Sequence, residues 1–105
     1  DMIGKARFKP LAQKDEHRMA QPQVEIYTKW GCPYCVQAKA LLDAKGVTYQ
    51  EYDITLGGPK KAEMQQRVPG AMTVPQILIA GQAVGGCDDI HALDRAGKLD
   101  PLLGL

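Results

Sequence analysis

The chain has 105 residues, a hydrophobic share of 45% and a formal net charge of +1. That is enough for one small domain, and the balanced charge excludes a partner chosen by bulk electrostatics, nucleic acid above all. No apolar run is long enough to span a membrane, no signal-peptide pattern opens the chain, and three cysteines with two in one C-x-x-C fit a reducing compartment such as the cytoplasm.

Residues 1–21 stand apart. Lys5, Arg7, Lys9, Lys14 and Arg18 face Asp1, Asp15 and Glu16 there, without a helical or strand period, up to Gln21-Pro22. This N-terminal extension is expected to be a flexible tail or a cloning remnant, with Met19 as a natural start. The domain proper is 22–105. Val24, Ile26 and Thr28 alternate with Glu25 and Tyr27, the period of a strand. Lys29-Trp30-Gly31 then leads into Cys32-Pro33-Tyr34-Cys35. Cys35, Ala38 and Leu42 fall at i, i+3 and i+7, so Val36 to Lys45 is a helix, with Pro33 suited to its first position and Gly46 as its stop. Thr48–Tyr52, flanked by Val47 and Ile54, is a second strand. Pro59 opens a short helix to about Gln66, with Ala62 and Met64 as its apolar members, and Val68-Pro69-Gly70 ends it.

Val74–Ile79 is a third strand, and Ala80-Gly81-Gln82 turns tightly into Ala83-Val84. Gly85-Gly86 breaks the pattern. Asp88 or Asp89 caps a helix whose apolar face holds Ile90 and Leu93, Gly97 closes it, and one more helical turn covers Asp100–Leu103. The order β-α-β-α-β-β-α predicts an α/β fold: a mixed four-stranded sheet flanked by helices on both faces. The first two strands should be parallel and the last two antiparallel.

The cysteine pair sits where the strand gives way to the helix. Cys32 falls at the helix N-terminus, where unpaired N–H groups and the helix dipole favour a thiolate, and Lys29 adds positive charge. Cys35, one turn in and facing the core, should stay a thiol. One sulfur attacks and the other resolves. C-x-x-C after the first strand of a βαβ unit reads as a thioredoxin-like redox motif.

Cys-Pro-Tyr-Cys at 32–35, Thr-Val-Pro at 73–75 and Gly-Gly-Cys-Asp-Asp at 85–89 together resemble the dithiol glutaredoxins, the bacterial small glutaredoxins in particular, over about Gln23 to Leu103. The resemblance implies a thioredoxin fold with Pro75 in cis and glutathione as reductant. It implies Cys32 as nucleophile and Cys35 as resolving thiol. Lys29 and Arg67, with Gln66 as a substitute for the latter, would face the glycine carboxylate of glutathione. Tyr34 would flank the tripeptide, Thr73, Val74 and Pro75 would present backbone to its cysteinyl unit, and Cys87, Asp88 and Asp89 would meet its γ-glutamyl end. Trp30-Gly31 departs from the polar or small residues common before the first cysteine. The residues agree with these roles: a helix N-terminus at 88–89 offers N–H groups to a carboxylate, and a strand that begins at a proline leaves Val74 free to pair with an extended peptide.

The expected activity is glutathione-dependent reduction of protein disulfides and of glutathione mixed disulfides, by a monomer with no membrane or nucleic-acid partner and no resident metal or cofactor. Zinc would need ligands beyond Cys32 and Cys35; only Cys87, His17 and His91 are candidates, with His17 in the tail and His91 on the exposed side of its helix. The rival readings are a dithiol reductase served by thioredoxin reductase and an iron–sulfur carrier in which two chains share a cluster through Cys32 and glutathione. A redox-regulated adaptor with the tail as its binding element is a third. Cys87 is expected to be a small buried thiol beside the site.

Overall fold

The computed structural model describes residues 21–105. The expectations placed on residues 1–20, including Met19 and His17, lie outside the described residues. The four strands are β1 (Val24–Thr28), β2 (Gln50–Asp53), β3 (Gln76–Ile79) and β4 (Gln82–Gly85). The helices are α1 (Pro33–Ala44), α2 (Pro59–Arg67), α3 (Cys87–Arg95) and the short α4 (Leu99–Leu102). Strand order across the sheet is β2-β1-β3-β4. β1 pairs parallel with β2 and antiparallel with β3, and β3 pairs antiparallel with β4.

Every residue of β1 is buried, because helices cover both faces of the sheet. Val24 and Ile26 face one side, where Ala38 and Leu42 of α1, Ile90 of α3 and Leu99 and Leu103 close the larger core. Tyr27 faces the other side, among Ile54, Met64, Ala71 and Leu78. Within α1, the buried residues are Cys35, Ala38 and Leu42, the stripe that the sequence spacing predicts.

Several boundaries differ from the sequence expectation by one to three residues, and three of them bear on the site or the sheet. The second strand starts at Gln50 rather than Thr48, because its first pairing is with Glu25 near the start of β1. The third starts at Gln76 rather than Val74, since its first pairing is with Tyr27 at Gln76 and the chain before it leaves the sheet. The cap of α3 is Gly86 rather than Asp88 or Asp89. Asp89 reaches back instead, its carboxylate accepting the Gly86 N–H at 2.8 Å, the half of a capping box that a glycine cap allows. Ala62 is exposed, leaving Met64 as the one buried residue of α2.

Candidate active site

Cys32 ends the β1–α1 connection with extended backbone and caps α1, whose first residue is Pro33. Its Sγ accepts the Cys35 N–H at 3.1 Å, and as a thiol it faces the Val74 carbonyl oxygen at 3.8 Å. The sulfur is therefore held between a helix terminus and the loop before β3. Cys35 lies one turn inside and is 2% exposed. Burial is the main cause that pushes its thiol up to about 12; the Cys32 sulfur beside it acts in the same direction, and the Lys29 backbone amide opposes. Both cysteines, and Cys87, are free thiols.

That asymmetry has a direct test. Iodoacetamide near pH 8 should label Cys32 and spare Cys35, which becomes reactive only as the pH approaches about 12. Peptide mapping after timed labelling checks this, and equal labelling of the two would contradict it.

Two arms of a groove meet at Val74. One arm, of about 400 Å³, is lined by Tyr34, Thr73, Val74, Pro75, Gly85, Gly86, Cys87, Asp88 and Asp89 together with Gln76. The Val74–Pro75 bond is cis. Gly85, at φ +106°, is where only glycine fits, and Gly86 leaves little room. A Cβ on Gly85 would collide with the Asp89 carboxylate, and one on Gly86 would come within 3.1 Å of the Pro75 oxygen. The second arm, of about 100 Å³, is lined by Lys29, Lys61, Gln65, Met72, Thr73 and Val74 among others.

The structure thus brings together, around Cys32, every site residue expected from the sequence except Arg67. Arg67 is committed elsewhere. Its guanidinium grips Glu25 through two hydrogen bonds of 2.7 and 2.9 Å and donates to the Tyr27 hydroxyl at 3.0 Å. The carboxylate of Glu25 is held below its ordinary range chiefly by that guanidinium. Gln66 is exposed and does not line the groove either. Lys61 and Gln65 take that place. Their i, i+4 spacing on one helix face was the available sequence signal.

His91 also departs from expectation. It is half-buried, with Nδ1 2.8 Å from the Cys87 carbonyl oxygen and 3.5 Å from Cys87 Sγ. Cys87 is buried at the groove wall, and burial pushes its thiol up. Among the described residues, no three His, Cys, Asp or Glu side chains converge as a metal site would need.

Comparison with known proteins agrees with this geometry. Residues 24–84 match the family model "Glutaredoxin". The chain is 59% identical to glutaredoxin 3 of Escherichia coli K12 over 80 residues, covering 76% of this chain and 95% of that protein. It superposes on the solution structure of glutaredoxin from Brucella melitensis with a TM-score of 0.70 at 50% identity, over 81% of this chain and 91% of the other. The buckwheat glutaredoxin–glutathione complex gives a TM-score of 0.67 at 30% identity, over 89% and 87% of the two chains. The chain therefore belongs to the glutaredoxin family and is a glutathione-dependent thiol–disulfide oxidoreductase with a thioredoxin fold.

Proposed function

We infer that Cys32 is the attacking sulfur and Cys35 the resolving one, and that the substrates are protein disulfides and glutathionylated proteins. The observation that carries this is the Cys32 sulfur at the α1 cap, hydrogen-bonded by the Cys35 amide and facing Val74, where the two arms of the groove meet. The Cys32 thiolate attacks one sulfur of a substrate disulfide, forms a mixed disulfide and expels the other sulfur as thiolate. With a protein disulfide, Cys35 loses its proton, attacks Cys32 and releases the reduced substrate, leaving the pair oxidised. Two glutathione molecules then reduce the pair and leave as glutathione disulfide. With a glutathionylated protein, glutathione remains on Cys32, and a second glutathione removes it as glutathione disulfide.

Glutathione fits the two arms by charge. The first-turn amides at Cys87, Asp88 and Asp89 suit its γ-glutamyl carboxylate. Asp89 already accepts from Gly86, so Asp88 is the freer acceptor for the ammonium. The Val74 backbone pairs with the extended cysteinyl unit beside Tyr34, Thr73 and Pro75. Lys29, with Lys61 and Gln65, faces the glycine carboxylate. One chain carries both thiols and both arms, so a monomer suffices, and the domain is 22–105. The cytoplasm suits it, since glutathione keeps thiols reduced there.

The test is a coupled assay on a glutathionylated peptide. Turnover should require glutathione with glutathione reductase and NADPH. Replacing that couple by thioredoxin reductase should leave background rates; equal rates with both would sink the glutathione assignment.

A further inference from the structure

Two exposed apolar side chains, Trp30 just before Cys32 and Leu56 after β2, have no part in the chemistry above. Trp30 is 84% exposed and Leu56 is 98% exposed. Both line one cleft of about 380 Å³ above the end of β2. Trp30 also lines the adjoining cleft of about 540 Å³ that contains Cys32 and Val36. A continuous path therefore runs from the attacking sulfur across Trp30 to Leu56.

That path is held in place. The Trp30 N–H donates to Thr55 Oγ1 at 2.7 Å, and the Thr55 hydroxyl and N–H both donate to Asp53 Oδ1, at 2.5 and 2.8 Å. Gly31, at φ +74°, makes the turn between Trp30 and Cys32. Two of the charged groups nearby are engaged: Lys39 pairs with Glu51 at 3.0 Å, and Asp53 accepts from Thr55, while Lys29 also lines the cleft that holds Cys32. What Trp30 and Leu56 themselves offer a partner is exposed apolar surface.

Neither arm of the glutathione groove is lined by Trp30 or Leu56, and Lys29 alone is shared, lining both the second arm and the Cys32 cleft, so glutathione does not need this surface. A protein substrate does. A half-cystine bonded to Cys32 carries chain on both sides, with Cα atoms about 3.8 Å apart, so neighbours two or three positions away extend over Trp30 and Leu56. We propose that the Trp30–Leu56 cleft is a specificity site for protein disulfides that carry a bulky apolar residue within about three positions of the reactive half-cystine. This rests on the thiol–disulfide exchange inferred above.

Two cyclic peptide disulfides test it, identical except that the positions flanking the half-cystines are leucine in one and serine in the other. The wild-type protein should favour the leucine peptide by about tenfold in kcat/KM, the scale set by burying one aliphatic side chain. Leu56→Ser and Trp30→Ser should each bring that ratio to about two or less. A general loss of stability would lower both peptides together and leave the ratio standing. No preference in the wild type, or a preference that survives in both variants, overturns the site. So does turnover of a small glutathionylated disulfide without turnover of either peptide. Failure on the small substrate as well would overturn the exchange reading itself.

Discussion

Cys32→Ser is expected to remove activity on protein disulfides and on glutathionylated substrates alike, by on the order of a thousandfold or more. A serine hydroxyl at that position has the same hydrogen-bond donor from Cys35, yet it is not a nucleophile toward sulfur at neutral pH. No other thiol can stand in: Cys35 is 2% exposed and Cys87 is 5% exposed, and burial raises both. Cys35→Ser should behave differently. It should lose the protein-disulfide reaction, because the mixed disulfide on Cys32 has no resolving partner. It should keep turnover of a glutathionylated substrate within about fivefold, because the second glutathione comes from solution. Steady-state kinetics on the two substrate types decides this, and an equal loss for Cys35→Ser on both would rule out the one-thiol route.

Arg67→Ala should cost about 2–4 kcal/mol of folding stability, read as a lower urea midpoint at unchanged m-value. The reason is Glu25, 6% exposed in the middle of the sheet, which would lose both bonds from the guanidinium. The Tyr52 hydroxyl would still donate to it at 2.8 Å, which keeps the loss from being larger. Removing both charges with Glu25→Leu and Arg67→Met should recover much of the stability, since an apolar pair leaves no buried charge behind. The pH dependence follows the same pair. The folded-state pKa of Glu25 is lowered, so its contribution is complete above its unfolded value near 4.5 and fades as the pH falls below that through the folded value. The Arg67→Ala protein should show a flatter loss of stability there. A fall in glutathione affinity of tenfold or more, with stability unchanged, would instead put Arg67 in the groove.

The Arg67 case shows where a sequence stops informing. Cys32 and Cys35 were readable because their signals are local: a period of two, then a period of 3.6, with a proline at the junction. The buried stripe of α1 followed from the same spacing. Which residue of α2 faces the groove is a different kind of fact. Neighbours on a helix point about 100° apart, so Gln65, Gln66 and Arg67 look in three directions. The choice depends on the rotation of α2 about its axis. Met64 sets that rotation by seating against Tyr27, Ile54 and Leu78, and one buried residue in nine gives too weak a period to read.

The strand starts are of the same kind. Tyr49 is as good a β-former as Tyr52, but only residues opposite β1 find a backbone partner. Val74 looked like strand and is overhang, which is what leaves it free to face Cys32.

The sequence by itself determined the order of elements and the places of Cys32 at a helix start and Cys35 one turn inside, because each depends on backbone preference and spacing within a few residues. The tertiary structure alone decided that Arg67 serves Glu25 and that Trp30 and Leu56 share a cleft. Those are pairings between elements far apart in the chain, 42 positions for Arg67 and Glu25, and burial chooses among side chains that look equivalent in one dimension.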